Sequence, residues 1–128
     1  MYSLEVLDHF EHPRNAGVLD AADATVQVEN PACGDVLKLY AKFSDGVLVS
    51  VRFQAKGCVP AIACGSALTE LILGQRLTEL AKVTPEELLR SVGGLPEASQ
   101  HASHLAMDAL SALLKASGRQ AGRVPLGQ

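Results

Sequence analysis

The chain has 128 residues, of which 48% are hydrophobic and 20% charged, a size and apolar content that suit one compact domain. Its net charge of -3 comes from 11 basic and 14 acidic residues spread without long runs, which leaves no electrostatic footprint for nucleic acid or an anionic membrane surface. No apolar run approaches the roughly 18 residues that span a bilayer. Met1 to Glu5 also lacks the basic start and apolar middle of an export signal, so the expectation is a cytoplasmic protein.

In chain order, Ser3 can cap a short helix from Leu4 to about His12, with Leu4, Leu7 and Phe10 on one face and Pro13 as its stop. His9 and His12, among Asp8 and Glu11, read as surface residues. The segment His12 to Gly17 is a turn-rich loop. From Thr25 the period becomes two: Val26 and Val28 mark a first strand, Leu37, Leu39, Ala41 and Phe43 a second, and Val47, Val49, Val51 and Phe53 a third. Pro31 to Asp35 breaks the first pair, and Ser44-Asp45-Gly46 predicts a three-residue hairpin connection between the second and third strands.

After Phe53 the period turns helical. Pro60 fits a first turn, and Ala61, Cys64, Leu68, Leu71 and Ile72 recur at three- and four-residue steps up to Gly74, which requires one buried face. Thr78 to Leu80 starts a short helix, and Thr84-Pro85-Glu86-Glu87 is a capped start for another through about Val92. A final helix from about Gln100 to Ser117 directs Ala102, Leu105, Ala106, Ala109, Leu110 and Leu113 inward. The resulting expectation is an α+β fold: a three-stranded antiparallel sheet with helices packed on one face and a long C-terminal helix. A single domain over residues 1–118 is followed by a flexible C-terminal tail over 119–128.

The chain has three cysteines, Cys33, Cys58 and Cys64, an odd number that argues against a disulfide framework in a reducing compartment. Cys64 falls on the apolar stripe of its helix beside Leu68 and Leu71, where a free cysteine behaves as a small hydrophobe. Cys33 and Cys58 sit at junctions next to Gly34 and Gly57, which leave room for a ligand beside each thiol. Cys58 also precedes a helix, whose free N–H groups and dipole favour a thiolate. Asp35, in the turn with Cys33, offers an oxygen ligand, and His101, at the start of the last helix, offers an imidazole. Two thiolates, a carboxylate and an imidazole suit tetrahedral zinc or iron. The same residues also have plain structural readings: Cys33 and Asp35 as turn formers, His101 and its neighbour His104 as exposed helix residues. No phosphate-binding glycine loop, nucleophile elbow or aromatic stacking platform is present in the sequence.

Several stretches together resemble the IscU/NifU-type iron-sulfur cluster assembly scaffold family. They are Tyr2-Ser3, the run DHFEHPRNAG from Asp8 to Gly17, PACGD from Pro31 to Asp35, Gly57-Cys58 followed by Ala61-Ile62-Ala63, and His101. The resemblance implies a scaffold or carrier, not an enzyme that turns over a substrate by itself. Such a protein accepts sulfur from a cysteine desulfurase, combines it with iron into a cluster, with [2Fe-2S] the expected type, and passes the cluster to apo-proteins. It implies Cys33, Asp35, Cys58 and His101 as metal and cluster ligands, and Cys58 as a persulfide acceptor.

The sequence departs from the family in two places. The family reads His-Cys where this chain reads His101-Ala102, and only Leu95-Pro96 remains of a Leu-Pro-Pro-Val-Lys segment, which leaves an Hsp70-type chaperone without its motif. Two other readings stand beside the scaffold: a zinc-binding sulfur-acceptor accessory protein using the same four ligands, and a degenerate scaffold fold retained as a regulatory binding module.

Overall fold

A computed structural model of the protein describes the backbone from Tyr2 to Leu126 and the side chains from Tyr2 to Ser117. The elements run α1 (Leu4–Glu11), β1 (Ala24–Asn30), β2 (Asp35–Ser44), β3 (Val47–Lys56), α2 (Val59–Ile72), α3 (Leu77–Leu80), α4 (Pro85–Ser91), a 3-10 turn (Glu97–Ser99) and α5 (His101–Leu126). The strands form one antiparallel sheet in the order β1-β2-β3. Helices α2 and α5 pack on one face of the sheet, and α1 and α4 pack on α2. The α+β sandwich expected from periodicity is present. The opposite face of the sheet carries Lys38, Tyr40, Arg52 and Gln54, with the Tyr40 hydroxyl donating to Gln54 Oε1 at 2.6 Å.

Local chemistry explains the helix starts. Ser3 Oγ accepts from the Val6 N–H at 3.0 Å, and Thr84 forms a reciprocal capping box with Glu87. The expected outline needs correction in five places. The hairpin loop has two residues, not three: Asp45 and Gly46, with φ of 51° and 78°, between the paired Ser44 and Val47. Positive φ at both positions is the twist-matched turn for a hairpin. A bulge between Lys42 and Phe43 shifts the register, so Leu48 points inward with Val51 and Phe53, while Val49 is 51% exposed. Helix α2 is buried almost all round, not on one face, because sheet, α1, α4 and α5 surround it.

On α1, Leu4, Leu7 and Phe10 do share a face, but it is the outward one. Val6 and His9 point inward, so His9 is a buried residue and not a surface one; His12 is exposed as expected. Helix α5 continues past the expected end at Ser117 to Leu126. The tail expected over 119–128 falls on side chains outside the described residues.

The core lies between the sheet and the helices, built from Leu37, Leu39, Phe53, Leu68, Leu110, Leu113 and their neighbours. Cys64 is wholly buried within it, where desolvation pushes its thiol pKa up to about 12. Gly65 is what lets α2 lie so close to the sheet, since a side chain there would stand 2.8 Å from the Phe53 ring.

Candidate metal centre

Three segments meet at one end of the sandwich. The first is the turn from β1 into β2. Asn30 organises it: its carbonyl accepts from the Gly34 N–H at 2.7 Å and its side-chain oxygen from the Ala32 N–H at 3.1 Å. Gly34 adopts φ of 77°, and Asn30 pairs with Asp35 across the turn. This leaves Cys33 exposed, while Asp35, the first residue of β2, is only 3% exposed.

The second segment is the junction of β3 and α2. Cys58 is the N-cap residue of α2, with extended backbone and a half-buried thiol. Its N–H donates to Asp35 Oδ1 at 3.3 Å and its thiol to Asp35 Oδ2 at 3.3 Å. The third segment is the start of α5, where His101 Nδ1 donates to the Ala98 carbonyl at 3.2 Å. That bond turns Nε2 toward the other two segments, 3.6 Å from Asp35 Oδ2 and 3.9 Å from Cys58 Sγ.

The four expected ligands therefore converge. Ligand atoms of Cys33, Asp35 and His101 all lie within 4.8 Å of one another, and Cys58 touches both Asp35 and His101. Among the described residues no group of three such side chains gathers this closely away from these four. His104 is exposed on α5 and is not one of the gathered ligands; with His101, Glu29, Pro31 and Asp108 it lines a shallow hollow beside them. Cys64 is away in the core, and Ala102, just after His101, is buried with it.

Electrostatics set the state of this cluster. Asp35 is a buried carboxylate with no lysine or arginine within 4.0 Å among the described residues. With Nδ1–H committed to Ala98, the imidazole presents a lone pair to that carboxylate unless a second proton sits on Nε2. A cation between Asp35, His101 and the thiols would neutralise this arrangement, and the donor set of sulfur, nitrogen and one oxygen suits zinc or iron.

The expectation that the helix start makes Cys58 a thiolate does not hold in the metal-free chain. Burial raises its pKa most, the Ala61 N–H lowers it, and the hydrogen bond and charge of Asp35 raise it again, for a net upward shift. An entering metal would displace that proton.

Residues 1–122 match the family described as NifU-like N terminal domain. The chain belongs to this family. Among curated relatives, the iron-sulfur cluster assembly scaffold protein IscU 1 of Archaeoglobus fulgidus is 40% identical over 124 residues, covering 97% of this chain and 81% of that protein. The IscU scaffold protein of Aquifex aeolicus is 38% identical over 125 residues, covering 96% and 80%. Among solved structures, a NifU-like N-terminal protein of Brucella abortus superposes with a TM-score of 0.73 at 21% identity, covering 89% of this chain and 92% of that one. FiSufU of the SUF system of Fervidobacterium islandicum gives 0.74 at 19% identity, covering 88% and 96%. These two likenesses establish the family's fold in this chain.

The sequence reading singled out all four converging residues. It missed the polar cluster around His9, whose signal lay in the DHFEHPRNAG run: His9 Nδ1 meets Ser66 Oγ at 2.7 Å, and Asn15 donates to Thr69 Oγ1 at 3.1 Å. Asn15 also ties the loop to β3, its carbonyl accepting from the Phe53 N–H at 2.9 Å. Among the described residues no helix is long and apolar enough to cross a membrane.

Proposed function

We propose that this protein is an iron-sulfur cluster assembly scaffold whose cluster is cargo held by Cys33, Asp35, Cys58 and His101. The observation that carries this reading is the convergence of two thiols and an imidazole on a buried carboxylate with no lysine or arginine within 4.0 Å among the described residues. Membership of a family whose relatives are named as scaffold proteins supports it.

In this reading Cys58 takes sulfur from a cysteine desulfurase. Its thiolate attacks the outer sulfur of the donor's persulfide, the donor's S–S bond breaks, and the donor cysteine leaves as a thiolate. Asp35 Oδ2, already bonded to the Cys58 thiol, accepts the proton that Cys58 releases. Each transferred sulfur needs two electrons to become sulfide, which an external reductant supplies. Iron enters against the carboxylate and imidazole, and an apo-protein later removes the cluster, with [2Fe-2S] the proposed type. Cys33, exposed at the tip of its turn, is the ligand a recipient reaches first.

Anaerobic reconstitution with ferrous iron, cysteine, a reductant and a cysteine desulfurase tests the reading. Iron and acid-labile sulfide should stay with the wild type after desalting, with visible charge-transfer bands, and should be lost in Cys33→Ala and Cys58→Ala. Wild-type protein that holds neither would overturn it and leave a binding module on the scaffold fold.

One feature favours a second reading. With Ala102 in place of a further cysteine the donors number four, enough to close a tetrahedral zinc site. Tight zinc without iron or sulfide, together with faster desulfurase turnover, would support a sulfur-acceptor role instead.

A further inference from the structure

We propose that Gly57 is the positioning residue for Asp35: the missing side chain at 57 is the slot that fixes which carboxylate oxygen faces the metal site. The inference builds on the proposed metal centre but rests on geometry within the metal-free chain. Gly57 adopts φ of 143°, outside the range comfortable for an L side chain. A methyl carbon built there would stand 2.6 Å from Asp35 Cγ and 3.1 Å from its Cβ, with Oδ1 closer still. The carboxylate thus occupies the volume where any other residue would carry its side chain.

The slot has a chemical consequence. Held in it, Asp35 Oδ1 accepts the Cys58 N–H at 3.3 Å, leaving Oδ2 as the oxygen turned toward Cys58 Sγ at 3.3 Å and His101 Nε2 at 3.6 Å. Asp35 is therefore poised as a ligand through one oxygen, with the other anchored to backbone. One-oxygen ligation beside two thiolates and an imidazole keeps the coordination number at four, which suits zinc and iron over ions that prefer six or more oxygens. Without the slot the carboxylate would be free to swing, bind through both oxygens or leave the site.

The test uses Gly57→Ala, Asp35→Ala and the double variant. In metal-free protein, the Cys58 amide should lose hydrogen-exchange protection in either single variant. Titration with Co2+ alone should show affinity falling roughly 10- to 100-fold in Gly57→Ala, the loss typical of an outer partner that orients a ligand, and at least as much in Asp35→Ala. The intense tetrahedral d-d bands of wild type should weaken. Because Gly57 acts through Asp35, the double variant should lose little beyond Asp35→Ala.

An unchanged Cys58 amide and Co2+ spectrum in Gly57→Ala, or losses that multiply in the double variant, would overturn the proposal. Should Gly57→Ala fail to fold, Asp35→Glu in the native Gly57 background decides: a carboxylate one methylene longer overshoots the slot and should show the same loss of Cys58 amide protection, whereas retained protection would sink the idea. The exchange readout needs no metal, so a wild type that fails to bind Co2+ would count against the metal centre and leave the Gly57 assignment to stand or fall on the amide.

Discussion

Helix α2 carries two polar clusters, each with a histidine from another element, and they are built on opposite terms. Midway along it, Ser66 Oγ accepts the Arg14 N–H at 2.8 Å and meets His9 Nδ1 at 2.7 Å, while Thr69 Oγ1 donates to the Ser66 carbonyl at 2.7 Å. Every acceptor there faces a donor, and His9, Ser66 and Thr69 are all buried. At the N-terminus of α2, Asp35 accepts from the Cys58 N–H and from a thiol proton that a metal could displace, with His101 Nε2 standing 3.6 Å from the same carboxylate. The first network holds a loop and three elements in place; the second is gathered from groups that could exchange a thiol proton for a metal ion. The HPRN segment and the candidate ligands both lie in the stretches that resemble the scaffold family, and it is the second set whose donor atoms suit a metal.

The largest expected effects separate the clusters directly. Cys58→Ala should abolish retention of iron and sulfide while leaving the urea midpoint near wild type, because a half-buried thiol at a helix N-cap contributes little packing. Ser66→Ala should do the reverse: leaving both the Arg14 N–H and His9 without their buried partner costs about 3 kcal/mol, with cluster content per folded molecule preserved. Cluster loss in Ser66→Ala at a temperature where it remains folded would erase the distinction.

Ala102→Cys supplies the thiolate missing beside His101, and the half-life of a reconstituted cluster against a chelator should rise several-fold. No change would mean that the four existing ligands already close the site.

A smaller effect follows from His9. Burial lowers its pKa first and the Arg14 charge second, against the opposing pull of Glu70 and Asp8. The folded value lies below the ordinary 6.5, so the unfolded chain binds the proton more readily. Stability from this site is complete above that value and is lost as pH falls from it through the folded pKa. Urea midpoints measured at pH 7.5 and 5.5 should drop more in wild type than in His9→Gln; parallel drops would assign the pH dependence elsewhere.

The smallest perturbation is a labelling experiment on metal-free protein. Iodoacetamide at mild alkaline pH should modify exposed Cys33 first, Cys58 more slowly and Cys64 only after denaturation, given a thiol pKa near 12 in the core. Mass spectrometry of tryptic peptides reads the order, and early labelling of Cys64 would contradict its place in the core.

Much of the molecule was legible before the fold was in hand. Alternation in β1 to β3, the capping residues Ser3 and Thr84, and the stripe from Ala102 to Leu113 are local patterns, set by side-chain periodicity and by hydrogen bonds within a few residues. The four candidate ligands could be named too, since each stands beside a break in pattern, and packing brings them to one end of the molecule. The inward side of α1 was not legible. Leu4, Leu7 and Phe10 look like its buried face, yet Val6 and His9 take that place because Ser66 offers His9 a partner from 57 residues away in sequence. The phase change in β3 was equally hidden, since it depends on how β3 pairs with β2: opposite Lys42 and Phe43 the register shifts and leaves Val49 of β3 without a partner.

By itself, then, the sequence determined the elements, their order, the family and the identity of the candidate ligands, because these follow from local periodicity and residue chemistry. The tertiary structure alone decided how Asp35 is shared between the Cys58 backbone and its thiol, why residue 57 must lack a side chain, and that the Cys58 proton is held rather than released. Those outcomes depend on distances and burial between segments far apart in the chain, and only packing brings the segments together.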